Sequence, residues 1–261
     1  MFKNKLIIFV CFFSILNAND VIESYESGSI NWSDQTVTAK GLGYSKKSNP
    51  VIAYKMAQRA SKLDAMRNLL EIVGKVRISS TSTIKNKMAQ DDTVKSNISG
   101  FIRNIVDVKY VKIDANTVES IIKMRLKDKA LNSLVDNSFS NKDNKSFKGK
   151  KATGLIIDAR DLDFIPSLNP KVIQEFEGVL YPDKVFHKSS GSNKFVAQYL
   201  RDIDVAMKHP LIGEFPIVVK AKGLYDNKND QIVLNNEASD KIKQEVKIGA
   251  LQDGKVIIVI K

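Results

Sequence analysis

One cysteine, two histidines and one tryptophan in 261 residues leave little material for thiol or metal chemistry. Cys11 sits inside an N-terminal apolar run, so the chain beyond that run has neither disulfides nor thiols. His187 and His209, with no second cysteine to join them, make a poor zinc set. No metal and no cofactor are therefore expected. A G-x-S-x-G motif is also missing, which removes the support for a serine hydrolase of that type. Long apolar runs are lacking as well. Leu6 to Leu16, broken only by Ser14, falls short of the roughly 20 residues that a membrane-spanning helix needs.

That short run suits a cleavable secretory signal covering residues 1–18. Lys3 and Lys5 form a basic start, the apolar stretch follows, and Asn17-Ala18 offers a small residue to a signal peptidase. Cleavage near Ala18 predicts a periplasmic or secreted protein, including one associated with an outer membrane. Cys11 lies between Ile8–Val10 and Phe12-Phe13, in the middle of the run, and so does not suit lipidation. The remaining chain, about 240 residues, can bury a core without disulfides.

The formal charge is +12, of which the leader carries two. Most of the lysines are scattered, which argues against nucleic acid as a partner. The exception is Lys142, Lys145, Lys148, Lys150 and Lys151, within a Ser-, Asn-, Lys- and Gly-rich stretch. Residues 136–151 read as a lysine-rich linker. These lysines also offer peripheral contact with an anionic membrane or polysaccharide, worth about 1 kcal/mol per basic residue at a charged membrane.

The linker divides the chain into an N-terminal α+β domain, residues 19–135, and a C-terminal α/β domain, residues 152–261. In the first, Thr36 to Gly41 alternates as a half-buried strand does. Asn49 and Pro50 then signal a helix start, and the helix is expected to run to Val73 and stop at Gly74. Its small residues would let it lie close on a sheet. A β-rich stretch over 75–81, a weaker helix over 92–104 and strands over 106–113 and 117–126 follow, giving a small sheet covered on one face by a long helix. In the second domain, strands are predicted over 153–158, 178–181, 217–221, 231–234 and 256–260. Helices are predicted over 195–208 and 237–248.

Several polar groupings resemble sites. Asp158, Asp161 and Asp163 follow a predicted strand, where α/β enzymes place acids and bases, but Arg160 between them offers an ordinary ion-pair partner. Gly41-Leu42-Gly43 has the start of a dinucleotide loop, but Lys46 stands where the third glycine belongs, so a bend or bulge fits better. Asp226 to Asp230 has the composition of a calcium loop without its glycine or distal glutamate, and fits a polar hairpin connection. Asp64, near the alanine-rich face of the long helix, is expected either to pair with Arg67 or to cap a strand edge. No residue qualifies as catalytic, cofactor-binding or metal-binding.

Gly41-x-Gly43, then Ala53, Ala57 and Ala60, then Asp64-Ala65-Met66-Arg67-Asn68-Leu69-Leu70 with Glu71 and Gly74, resembles a pattern in bacterial envelope proteins. It is similar to that of the FlgP-type flagellar basal-disk lipoproteins and of the N-terminal domain of FlgT. Gly154 to Arg160, Pro166-x-Leu168-x-Pro170-Lys171 and Pro216 to Ala221 are similar to secreted proteins that carry the same first domain. The resemblance implies a non-catalytic envelope protein that assembles with itself or with other envelope proteins, in some cases around the flagellar motor. It supplies no catalytic residues. The rival expectation is a periplasmic ligand-binding module or enzyme using Asp158, Asp161 and Asp163.

Overall fold

A computed structural model of the protein describes residues 19–126, 131, 134, 147–183, 185 and 195–261. The expected leader, most of the linker with Lys142 and Lys145, and His187 lie outside these residues. The protein is α+β. Its first half contains β1 (Ile22–Tyr25), β2 (Gly28–Asn31), β3 (Thr36–Tyr44), α1 (Pro50–Lys75), β4 (Arg77–Ser79), β5 (Ser82–Thr83), α2 (Ile84–Gln90), α3 (Asp92–Arg103), β6 (Val108–Lys112) and β7 (Thr117–Arg125). Five of these strands form an antiparallel sheet in the order β1-β2-β3-β7-β6.

Helix α1 starts where the sequence signals it. The Asn49 side chain accepts from Val51 N at 3.0 Å and Ile52 N at 3.2 Å, and Pro50 occupies the first turn, where its missing N–H is not needed. The helix continues through Gly74 to Lys75. Its buried face is a stripe of small residues, Ala53, Ala57, Ser61 and Ala65, leading to Leu69, Ile72 and Val73. The stripe lies directly on Gly41 and Gly43 of β3, where a Cβ would collide with helix backbone. The Gly-x-Gly motif is thus a contact surface for a helix. Beyond the last β2 pair, α1 also satisfies the open edge of β3: Leu42 N donates to Asp64 Oδ2 at 2.9 Å and Asn68 Nδ2 donates to Lys40 O at 2.7 Å. Of the two roles expected for Asp64, the structure realises the strand cap.

The second half contains β8 (Gly154–Asp158), β9 (Lys171–Gln174), β10 (Gly178–Tyr181), β11 (Gln198–Leu200), α4 (Ile203–Met207), β12 (Pro216–Lys220), β13 (Gly223–Tyr225), β14 (Lys228–Leu234), α5 (Asn236–Glu245), α6 (Ile248–Gln252) and β15 (Val256–Val259). One sheet is entirely parallel, in the order β11-β15-β8-β12; the other is mixed, β10-β9-β14-β13. The parallel sheet is buried on both faces. Leu155, Ile157, Val256 and Ile258 face the main core, whereas Ile156, Ile257 and Val259 face a smaller cluster with Leu200, Ala206 and Ile212. This two-sided burial explains why β8 and β15 read as unbroken apolar runs.

Of the helix expected over 195–208 only Ile203–Met207 forms, and Gln198–Leu200 is a strand. Tyr199 goes to the main core and Leu200 to the smaller one, an alternation only a strand permits, and β11 pairs in parallel with β15. A short helix begins after it because Asp202 Oδ1 accepts from Asp204 N at 2.8 Å and Val205 N at 3.0 Å. His209 follows α4, its Nδ1 accepting from Leu211 N at 3.2 Å. Burial holds its imidazole below the usual pKa of 6.5. A depressed folded pKa means that the unfolded chain takes up the proton first, so this stability is complete above pH 6.5 and is lost as pH falls through the folded value. Denaturant midpoints measured across that window should fall with acidification, and His209→Gln should flatten the slope.

The two halves share one hydrophobic core that includes Val21, Trp32, Tyr199 and Ile260. Trp32 meets Tyr199 edge to face at 6.0 Å between centroids. Ser33 Oγ donates to Tyr199 O at 2.6 Å, Gln198 Nε2 to Ser33 O at 2.6 Å and Gln35 Nε2 to Ala197 O at 3.1 Å. Arg77 makes a second joint, pairing with Glu23 and donating from Nε to Pro166 O at 2.8 Å, while Leu168 N and Asn169 N donate to Arg77 O and Ile78 O.

Candidate functional site

The β4–β5 hairpin of the first half faces β9 and β14 of the second across a cavity of about 610 Å³. Its polar walls come from the serines and threonine of residues 79–82, and lysines 87, 171 and 228 also line it. Two buried polar residues stand in its wall. Asp230, 2% exposed, accepts through Oδ2 from Ser80 N at 2.8 Å and Ser167 Oγ at 3.0 Å. Its Oδ1 is buried without a hydrogen-bond partner among the described residues. Asn169, 8% exposed, donates from Nδ2 to Leu134 O at 3.3 Å, and its Oδ1 is unpartnered in the same sense. Lys171 is paired with Asp183 at 3.1 Å, Lys228 lies a loose 3.9 Å from Asp226, and Lys87 has no ion pair among the described residues.

Asp230 belongs to the run whose composition fits a polar hairpin connection, yet it is buried. The stretch 226–230 is part of a hairpin, as expected, but its turn is only Asp226-Asn227, both with positive φ (49° and 54°). The strand therefore starts at Lys228 and Asp230 falls on its inward face with Ile232 and Leu234. The alternation Asp230, Ile232, Leu234 is the signal that places it there.

Asp158, Asp161 and Asp163 do not converge on this cavity. Asp158 is bound by Arg160 at 2.7 Å, and this hydrogen bond holds its carboxyl below the usual range. Asp161 pairs with Lys220 at 2.7 Å on the surface, which lowers its pKa likewise. Asp163 is exposed. Of the linker lysines, Lys148, Lys150 and Lys151 are exposed on a segment fixed to α5, where Lys148 N donates to Lys243 O at 2.8 Å and Ala152 N to Glu245 O at 2.9 Å. Among the described residues no group of three or more His, Cys, Asp or Glu side chains is placed to hold a metal, and no helix is long and apolar enough to cross a membrane.

Apolar side chains stand in solvent around α1 and the end of β3. Val51 is 70% exposed, Leu42, Tyr44 and Leu63 nearly 60% each, and Ile52 and Met56 about half. Tyr44, Met56 and Ala60 line a shallow groove of about 370 Å³ beside Lys46 and Lys47.

Residues 154–261 match the family model described as Treponema pallidum Tp0624, second domain. No curated protein sequence matches the chain. The match to the Tp0624 second-domain family begins with the first residue of β8 and ends with the last residue of the chain. It therefore takes in both sheets of the second half, together with Asp230 and Asn169. It excludes α1, the Gly-x-Gly contact and the β4–β5 wall of the cavity.

Proposed function

We propose that this is a non-catalytic bacterial envelope protein that works by self-association through the apolar surface of α1 and β3. The observation that carries the reading is a line of large apolar side chains left in solvent on one side of α1, Ile52, Met56 and Leu63 at helical spacing, with Tyr44 beside Met56 in the groove. Apolar area gathered this way on a folded domain marks an interaction surface. The small-residue stripe explains how it arises: alanines of α1 pack on glycines of β3, and the larger apolar side chains at Ile52, Met56 and Leu63 remain outside.

Export to the periplasm or beyond is supported by the N-terminal pattern of Lys3, Lys5 and the apolar run ending at Ala18. Association with the flagellar motor rests on the resemblance of the Gly-x-Gly and α1 motif to FlgP-type and FlgT proteins. The match of the second half to a Treponema pallidum domain family supports a bacterial setting.

Light scattering on the chain from Asn19 onward tests self-association. The mass is expected to rise above that of one chain with concentration, and Met56→Lys with Leu63→Lys is expected to hold it at one chain without altering the circular dichroism. A mass that stays at one chain for the parent and the variant alike would remove this reading. For export, a tagged full-length copy should appear in the envelope or periplasmic fraction without its first residues.

A further inference from the structure

We infer that the outer face of the mixed sheet β10-β9-β14-β13 is a binding groove for a single alkyl or acyl chain that carries an anionic head. The groove goes beyond the proposed self-association, since it uses neither α1 nor β3, and it lies wholly within the residues that match the Tp0624 second-domain family. One face of this sheet gives Val172, Leu180, Ile232 and Leu234 to the main core. Alternation turns Ile173, Val179 and Val233 the other way, and these belong to neither core cluster. They form an unbroken row across β10, β9 and β14, because Val179 pairs with Ile173 and Ile173 with Val233. The row floors an open groove of about 590 Å³, within the range of small-molecule sites.

Aromatic rings mark the two ends. Phe176 follows β9 with a left-handed backbone (φ 68°) and is 92% exposed, so its ring gains no packing to offset the strain. Tyr225, also exposed, stands at the opposite end with Lys228 Nζ 5.5 Å from its ring centroid. From Lys171 to Phe176 the strand and its turn advance roughly 15 Å, the length of a chain of about twelve carbons. One ring cannot reach both ends. The side chains of the row offer no hydrogen-bonding groups, and the backbone beneath them is spent on the sheet. Peptide amides or sugar hydroxyls laid over the row would lose water and find no partner, whereas a saturated chain has none to satisfy. The Tyr225 end is cationic: Lys171 is shared with Asp183 at 3.1 Å, and Lys228 has only the 3.9 Å contact with Asp226. Glu175, the carboxylate among the described lining residues, is tied to Lys222. An anionic head therefore sits by Lys228, and the chain runs diagonally over Val233 and Ile173 to Phe176.

Calorimetric titration of the chain from Asn19 onward, which holds every described residue, tests the groove with dodecanoate and with a dodecanoyl lysophosphatidylglycerol, each below its micelle-forming concentration. Two temperatures are used, because apolar burial makes the heat temperature-dependent. Hexanoate and dodecyltrimethylammonium are the controls. A dodecyl anion is expected to bind, the tighter of the two showing whether a free fatty acid or a phospholipid is the source, with both controls weaker by about tenfold or more. Phe176→Gly removes a ring that supports no core and relaxes a left-handed backbone, so it should weaken the dodecyl anions about tenfold without lowering the unfolding midpoint. Lys228→Gln should weaken the anions severalfold and leave dodecyltrimethylammonium as it was. Binding that survives both Phe176→Gly and Val233→Lys would put the chain elsewhere, as on the exposed face of α1, and overturn the groove. Equal binding of the cation would overturn the anionic head. No heat from either dodecyl anion at either temperature would overturn the proposal as a whole.

Discussion

Gly41→Ala is expected to destabilise the protein by about 3 kcal/mol or more, at the upper end of overpacking costs. A Cβ at that position would lie 2.5 Å from Ser61 O and 2.6 Å from Ala65 Cα, and would also strike Ala65 N. All three are backbone atoms of α1, so no side chain can rotate away; the helix must lift from the sheet. Lifting it strains the Leu42–Asp64 and Lys40–Asn68 hydrogen bonds and the buried contact between the Ser61 and Ser120 hydroxyls at 2.6 Å. Gly43 is constrained in the same way by Ala57 O and Ser61 N. Gly100, within α3, has nothing within 4 Å of an added Cβ. Gly100→Ala should therefore raise stability by about 0.5–1 kcal/mol through helix propensity alone. Urea midpoints for the two variants should move in opposite directions. An unchanged midpoint for Gly41→Ala would mean that α1 does not sit on β3 as described.

This contact also marks how far the sequence could be read. The start of α1 was legible because Asn49 and Pro50 act locally, and the strand before it because alternation from Thr36 onward reports a one-sided sheet. The alanines of α1 were legible as close-packing residues, but Gly41 and Gly43 read as a bend or bulge and are instead regular strand positions against the helix, a partner that the whole β3–α1 connection separates from them. Helix 195–208 was misread because Val196, Tyr199 and Ile203 have helical spacing, while the pairing that decides the matter comes from β15, at the far end of the chain. Strands β1 and β2 escaped notice because Ser24, Gly28, Ser29 and Asn31 are poor strand formers, held in place by the edge of β3. The cavity was the least legible feature. Its buried polar residues are Asn169 and Asp230 and one wall is 79–82, three segments that only the tertiary fold assembles. Of the conspicuous aspartates near 160, Asp158 and Asp161 are instead paired with Arg160 and Lys220, and Asp163 is exposed.

Trp32→Ala is expected to cost about 4 kcal/mol, within the range for truncating a buried large aromatic. The ring is 1% exposed, packs edge to face on Tyr199 and carries the Arg77 guanidinium 5.4 Å from its centroid. Its Nε1 donates to Glu23 Oε1 at 2.8 Å, so truncation also takes a donor from the carboxylate that pairs with Arg77. Trp32 belongs to the first half and Tyr199 to the second, so the variant reports on whether the two unfold together. Hydrogen exchange at the amides of Ile156, Ile157, Ile257 and Ile258, in strands buried on both faces, reads this directly. If the shared core makes one cooperative unit, their exchange should accelerate about a thousandfold, the factor corresponding to 4 kcal/mol. Tyr199→Phe, which keeps the ring contact and loses the 2.7 Å hydrogen bond to Ser167 O, should give a smaller acceleration of the same amides. Faster exchange confined to β3 and β7, with β8 and β15 still protected, would mean two units that fold separately, divided at the 136–151 stretch that composition alone marks as a linker.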